Sequence, residues 1–273
     1  VFLAYHRLPD NQTLAVTQES SRTAETGIEY SVVSWNIGFG AYEEDYGFFM
    51  DGGTQFWAWS PERLQTNLQA IGQLLSEQNA DFLLIQEVDT DATRSYHTDE
   101  YGLLQSILTK SGAYSRAFAQ NYDSPFLLYP LTQPHGASRS GIGTFSVCGI
   151  ASAVRRSLPI ETGLTKLLDL DRCCSVCRIP VAGGGELVLY NLHLSAYTSD
   201  GAIATEQLKM LLADMQSEYE AGNWCVAGGD FNKDLLGNSA DWFGAADREY
   251  TWGQPIPPET FEGTDRITRG SMC

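Results

Sequence analysis

Four apolar, strand-like runs in this chain end on polar or ionisable side chains, and no other feature constrains its fold as much. Tyr30-Ser31-Val32-Val33-Ser34-Trp35 ends at Asn36, and Phe82-Leu83-Leu84-Ile85 runs into Gln86-Glu87. Leu187 to Leu194 carries Asn191 and His193, which share a face because residues two apart in a strand point the same way. Trp224-Cys225-Val226-Ala227 leaves through Gly228-Gly229 into Asp230-Phe231-Asn232, so Asp230 and Asn232 share an edge too. Any one of these ends is an ordinary cap or turn, since Asn, Asp and Gly favour such positions. Burying all of them costs on the order of 1 to 3 kcal/mol each unless they pair or bind something. The set is therefore expected to form a site.

Helical patterns separate these runs. Ser60-Pro61-Glu62 reads as a helix start, with Ser as N-cap and Pro at the first position, and Leu64, Leu68, Ile71, Leu74 and Leu75 follow at helical spacing. Glu100 to Lys110 and Ser199 to Ala221 read as two more helices. Tyr114 to Asn121, Phe126 to Leu131, Gly141 to Val147, Ala151 to Leu158 and Ser175 to Val181 read as strands, with His135 to Ser140 as a polar loop. Gly183-Gly184-Gly185 reads as a hairpin turn, because a strand follows where a phosphate loop needs a helix. Gly38 to Trp59 reads as a long loop carrying Tyr42, Tyr46, Phe48, Phe49 and Phe56, suited to rim a site or to touch a membrane. Residues 6–28 are polar, with a short strand around Leu14-Ala15-Val16, and residues 1–27 read as a leader to one domain over 28–273.

A chain of 273 residues with 43% hydrophobic and 19% charged residues suits a soluble domain with a sizeable core. Its net charge of -17 repels polyanions and disfavours tight, salt-sensitive binding of duplex nucleic acid, while favouring cations. A bound divalent ion brings positive charge of its own, so a phosphate substrate is not excluded. Cys173-Cys174-x-x-Cys177 lacks the second ligand pair of a zinc site. No zinc is expected there; the three thiols read as small core residues, Cys173 and Cys177 on one strand face and Cys174 on the other. Val1-Phe2-Leu3-Ala4-Tyr5 lacks an initiator Met and is too short for a signal peptide. Two readings stay open: an extracytoplasmic protein trimmed of an upstream anchor or signal, and a cytoplasmic one cut at that point. Nothing in the sequence specifies an oligomer or a disulfide framework.

The motifs Ser34-Trp35-Asn36-Ile37, Gln86-Glu87-Val88, Tyr190-Asn191-Leu192-His193-Leu194 and Gly229-Asp230-Phe231-Asn232, in that order, resemble the endonuclease/exonuclease/phosphatase superfamily. This is the deoxyribonuclease-I-like group that includes neutral sphingomyelinases and inositol polyphosphate phosphatases. The resemblance covers about Tyr30 to Asn232. It implies an α+β fold, a four-layer αββα sandwich of two mixed β-sheets face to face with helices outside, and an active site at the strand ends. It also implies Mg²⁺, with Mn²⁺ or Ca²⁺ as substitutes, held by Glu87 with Asn36 as a ligand or ligand-positioning amide. His193 would bind the scissile phosphate with Asn191 beside it, Asp230 would orient the attacking water, and Asn232 would hold a phosphate oxygen. Arg94, just after the Glu87 strand, is a phosphate contact by bidentate bonding, and His135 and Arg139 are rim contacts. One departure stands out. The family's closing Ser-Asp-His segment, whose histidine is the general base, has no counterpart in these residues. The domain is thus expected to be C-terminally incomplete, and a chain extended through that histidine is expected to hydrolyse a phosphodiester with Mg²⁺.

The leading expectation is Mg²⁺-dependent hydrolysis of a phosphoester, by a phosphodiesterase or a phosphatase, on a small-molecule or lipid substrate rather than duplex nucleic acid. A nuclease acting on DNA or RNA, a non-catalytic phosphate- or metal-binding module of the same fold, and a membrane-surface protein using the aromatic loop remain alternatives.

Overall fold

Two parallel strand pairs, each joined through a helix, set the architecture. The structure is a computed structural model that describes residues 7–127, 133–160, 171–196 and 201–234, with isolated positions from 237 to 260. The elements are β1 (Gln12–Thr13), β2 (Val16–Thr17), β3 (Val32–Asn36), α1 (Pro61–Gln78), β4 (Phe82–Ala92), α2 (Glu100–Ser111) and β5 (Ser115–Leu127). They continue with β6 (Gly136–Ser146), β7 (Ser152–Ser157), β8 (Cys173–Pro180), β9 (Glu186–His193), α3 (Ala202–Glu220) and β10 (Trp224–Asp230). One five-stranded sheet has the order β2-β5-β6-β4-β3 and the other β1-β7-β8-β9-β10. Each is antiparallel except for its last pair, β3 with β4 and β9 with β10. Parallel neighbours need a crossover, and α1 and α3 supply it.

The sequence pattern explains the layers. Along β4, Phe82 and Leu84 face the second sheet and pack with Cys177, Ile179 and Leu189, while Leu83 and Ile85 face α1 and α2. Ser60 accepts the Arg63 N–H at 3.2 Å, Pro61 takes the first helical position, and Asn79 closes α1 in a left-handed turn. Leu64, Leu68 and Leu75 of α1 are buried on the first sheet. Leu208, Leu211 and Leu212 of α3 cover Val188, Tyr190 and Leu192 of the second. The order helices, sheet, sheet, helix is the αββα sandwich expected from the motifs. Cys173 and Cys177 turn into the space between the sheets and Cys174 towards α3, as alternation requires, and all three thiols are free. Gly183 to Gly185 do form the turn between β8 and β9.

Several boundaries differ from the expected ones. The stretch His135 to Ser140, read as a loop for its polarity, is strand from Gly136 onward, where β6 starts, and Ser138 and Ser140 are buried between β4 and β5. Serine is small enough to sit in a covered ladder. Tyr114 to Asn121 and the run from Phe126 are one strand, β5, with a register shift between Gln120 and Tyr122; residues 128–131 lie outside the described ones. The leader stretch supplies an edge strand to each sheet, β1 beside β7 and β2 beside β5. The Gly38 to Trp59 loop holds short 3-10 turns at Gly38–Gly40 and Phe49–Asp51, and its rings stack on one another, Phe49 on Phe56 at 4.2 Å and Tyr42 near Tyr46 at 5.3 Å. Among the described residues no helix is long and apolar enough to cross a membrane. Residues 1–6, residues 199 and 200 of the expected third helix and everything after 260 lie outside the described residues.

Candidate active site

The two parallel pairs end side by side. In register, Asn36 of β3 lies opposite Gln86 of β4, and Asp230 of β10 opposite His193 of β9. Gly228 and Gly229 make this meeting of the sheets possible. A Cβ on Gly228 would lie 2.6 Å from Leu84 Cδ1, and one on Gly229, whose φ is +149°, would lie 2.0 Å from the Leu192 carbonyl oxygen. The Gly-Gly exit is thus set by close approach to the β4 and β9 chains.

Glu87 reaches the site by a different device. Its strand does not end there, as the sequence suggested, but continues to Ala92. The β4–β6 register slips between Ile85 and Val88, and Glu87 sits in this bulge at φ +54°. A bulge re-aims a side chain, here at a backbone cost of about 1 to 2 kcal/mol for a residue with a Cβ.

Asn36 joins the two carboxylates. Its Oδ1 accepts the Gly38 N–H at 2.9 Å, and because that group can only donate, the orientation of the amide is set. Its Nδ2 then donates to Glu87 Oε1 at 3.0 Å and to Asp230 Oδ2 at 2.8 Å. His193 Nε2 lies 3.6 Å from the same Asp230 oxygen. Asp230 Oδ1 accepts the Asn232 N–H at 2.9 Å, and Asn232 Nδ2 donates to the Leu194 carbonyl at 2.8 Å.

Burial governs the charge states. It pushes the Glu87 carboxyl above its usual range; Arg94 and the Asn36 bond pull against it, and the Asp230 charge adds to the push. Burial, followed by Arg172, drives His193 down to about 3 against the opposing pull of Asp230. Asp230 lies below the usual carboxylate range: burial works against its charge, but the facing imidazole, the Asn36 and Asn232 bonds and Arg172 outweigh it. With His193 neutral, the two hydrogen bonds and Arg172 do most of this. The site at neutral pH therefore holds an ionised Asp230 and an uncharged imidazole.

The other expected residues fall into different places. Asn191 is fully buried between the sheets, where Oδ1 accepts from Gln86 Nε2 at 2.8 Å and Nδ2 donates to the Gly143 carbonyl at 2.9 Å. It is a strut between layers, one pleat beneath His193, and no cleft group. Asn191→Ala would remove the acceptor of one Gln86 amide hydrogen, leaving the Gln86 bond to the Leu84 carbonyl, and the donor to the Gly143 carbonyl, so a stability loss of roughly 1 to 3 kcal/mol is expected in urea unfolding. A loss under about 0.5 kcal/mol, the size of a neutral surface change, would remove the strut. The bidentate fork of Arg94, expected on a phosphate, is on Asp89, with Nε to Oδ2 at 2.9 Å and Nη2 to Oδ1 at 2.8 Å. His135 is half-buried beside Tyr122. Arg139 is exposed, 3.7 Å from both Asp91 and Asp123.

Burial, and then Arg94, also drives His135 down to about 4. An unfolded histidine titrates near 6.5. Between about 6.5 and about 4 the unfolded chain therefore binds the proton that folded His135 refuses, and this contribution to stability, present above 6.5, is lost as pH falls. Glu87 has the opposite sign, its raised value favouring the folded state as pH falls. A comparison of melting temperatures of the wild type and His135→Gln across this window isolates the histidine: the variant is expected to lose less. Parallel curves would exclude it.

Sequence reasoning missed Arg172 and Glu100. Arg172 precedes β8, is 6% exposed, and acts on Glu87, His193 and Asp230. No motif marks it; it reaches the site only because β8 runs antiparallel to β9 and starts where β9 ends. Glu100, read only as the first residue of a helix, is fully buried behind Glu87.

The structure is thus an αββα sandwich that gathers an amide, two carboxylates and a buried imidazole where its parallel pairs end. The chain belongs to the Endonuclease/Exonuclease/phosphatase family, whose model matches residues 33–268. Among solved structures it is similar to ANGEL2, described as a 2',3'-cyclic phosphatase, with 17% identity over 96% of this chain and 73% of that one and a TM-score of 0.52. The human Nocturnin catalytic domain with bound sulfate matches at 17% identity over 90% of this chain and 80% of its own, with a TM-score of 0.51. An endonuclease/exonuclease/phosphatase from Beutenbergia cavernae DSM 12333 matches at 20% identity over 67% of this chain, with a TM-score of 0.48, and this chain spans 43% of its length. No curated protein matches the chain. At these identities the likeness is one of fold.

Proposed function

We propose that the chain is a divalent-metal-dependent phosphoester hydrolase, with Mg²⁺ as the ion and a small-molecule or lipid phosphoester as the substrate. The observation that carries this is the convergence on one amide: Asn36 Nδ2 bonds both Glu87 and Asp230, and His193 faces the same Asp230 oxygen. The donor set fits a hard cation. Two carboxylates held on one nitrogen repel, and this repulsion together with burial disfavours the Glu87 charge. A positive ion beside Glu87 would relieve both. Among the described residues no three of His, Cys, Asp and Glu gather as a closed metal cage. Mg²⁺ commonly keeps its waters and uses one or two carboxylates plus phosphate oxygens, which suits Glu87 with Asp230 nearby. When bound, such an ion neutralises charge on the phosphoryl oxygens.

The chain's own groups supply the rest. The uncharged His193 can donate a ring N–H to a phosphate oxygen without repelling a cation. Ionised Asp230 can accept a hydrogen bond from a water and aim it at phosphorus. Asn232 keeps its second amide hydrogen for a phosphate oxygen, and Asn36 holds the two carboxylates in place from one amide nitrogen. The net charge of -17 supports a small or lipid substrate over duplex nucleic acid. The test is hydrolysis of bis(p-nitrophenyl) phosphate with Mg²⁺ by a chain extended through a closing histidine, followed by sphingomyelin, inositol phosphates and DNA, with Mg²⁺ binding measured by calorimetry. EDTA-sensitive turnover is expected. Binding without turnover of any ester would identify a non-catalytic module, and absence of both would overturn the reading.

A further inference from the structure

The Glu87 bulge is framed from behind by side chains that take over from the strand ladder. The β4–β6 register slips twice, between Ile85 and Val88 and again between Asp89 and Asp91, so Val88 and Asp89 lie between two bulges. A bulge leaves backbone groups unpaired, and buried ones need other partners. The Asp89 N–H donates to Glu100 Oε2 at 2.8 Å, and the Val88 carbonyl accepts from Ser140 Oγ at 3.3 Å. Asp89 and Glu100 are both fully buried. Arg94 clamps Asp89 with two bonds, and its guanidinium lies 3.9 Å from the Phe39 ring centre. Phe39 in turn is the middle of three successive residues at positive φ, Gly38 at 53°, Phe39 at 41° and Gly40 at 65°. Gly38 is the residue whose N–H orients Asn36.

Two backbone segments of unfavourable conformation, the Glu87 bulge and the Gly38–Gly40 turn, are thus tied to each other through one buried chain of contacts: Glu100, Asp89, Arg94, Phe39. The bulge carries the carboxylate, and the turn donates the Gly38 N–H that orients the Asn36 amide bonded to it. Left alone, each would relax towards ordinary strand or turn geometry, and the Asn36–Glu87 bond would be lost with it.

We infer that Glu100, Asp89 and Arg94 are positioning residues of the cation site, fixing the Glu87 bulge and the Gly38–Gly40 turn from behind so that Glu87 and Asn36 present one geometry to the ion. This rests on the function proposed above. Glu100 acts through its acceptor oxygen on the Asp89 N–H, so it needs the shape and the oxygen and no negative charge. Groups standing behind metal ligands are typically worth 10- to 100-fold in metal affinity.

The experiment measures Mn²⁺ affinity by calorimetry, with amide hydrogen exchange at residues 87–89. Glu100→Met keeps the volume and removes the acceptor; it is expected to bind Mn²⁺ about 10- to 100-fold more weakly and to exchange faster at 87–89, with protection of β8 and β9 unchanged. Glu100→Gln keeps an acceptor oxygen and is expected within about 2-fold of the wild type, the noise of such a comparison against a 10-fold effect. Arg94→Lys, which loses the fork but keeps the charge, is expected to weaken binding as well, and it stands in for Glu100→Met should that variant not fold. Wild-type affinity in Glu100→Met or, in its absence, in Arg94→Lys overturns the inference while leaving the proposed function intact. So does a Glu100→Gln variant as weak as Glu100→Met. A wild type that binds no Mn²⁺ overturns the proposed function, and this inference falls with it.

Discussion

Glu87→Gln is expected to abolish divalent-cation binding and to lower kcat/KM on a phosphodiester by about 10³-fold or more, while raising the melting temperature in cation-free buffer. A 10³-fold loss corresponds to about 4 kcal/mol of transition-state stabilisation. The variant keeps an oxygen for the Asn36 Nδ2 bond, so the local hydrogen bonding survives. The expected rise in stability follows from the sign of the Glu87 shift. Its folded carboxyl lies above the unfolded value, chiefly through burial, so ionisation opposes folding and stability is lost as pH rises through the raised range. Glutamine has no such charge. Calorimetry with Mn²⁺ and melting curves at neutral pH read both effects. Unchanged ion affinity would take Glu87 out of the cation site, and a lower melting temperature would mean that its charge is compensated within the protein.

The second large effect is expected at His193. His193→Ala should reduce kcat by about 10²- to 10³-fold with a small change in cation affinity, since it removes a donor to the phosphoryl group and leaves Glu87 and Asn36 in place. His193→Gln, which can offer an N–H from a similar position, should recover part of this. Because burial holds the imidazole at about 3, the wild-type rate should show no inflection from His193 between pH 5 and 8. A rate that falls with a midpoint near 6.5, and does so only while His193 is present, would show that the ring titrates at its ordinary value and acts as a proton carrier. Equal kcat in His193→Ala and the wild type would remove it from the chemistry altogether.

Much of this was legible in the chain, for reasons specific to each residue. The α1 start was readable because Ser60 and Pro61 solve a local problem, the unpaired N–H groups of the first turn, and do so within four residues. Asn36, His193 and Asp230 were readable because each follows an apolar run directly, and strand periodicity says which way it points. Glu87 was readable as a site residue, but the reason given for it, a strand end, was not the one the structure uses. A bulge depends on the partner strand's register, and β6 is more than fifty residues away in the chain. Asn191 was assigned to the cleft by the family resemblance and Arg94 by its place just after the Glu87 run. The first is drawn between the sheets by Gln86 and Gly143, the second onto Asp89 over Phe39, and those partners are fixed by packing.

Taken alone, the sequence determined the strand and helix types, the two parallel pairs' polar ends and the family motifs, because local periodicity, capping and short spacings are properties of neighbouring residues. It also determined that Gly228-Gly229 precedes Asp230. Only the tertiary structure decided what those glycines are for, which is to let β10 approach Leu84 and Leu192, and which polar side chains face the cleft. It alone brought Arg172 and Glu100 to the site. The physical reason is common to all of these: close approach, bulge register and burial of charge are set by atoms from strands and helices far apart in the chain, and no local pattern encodes them.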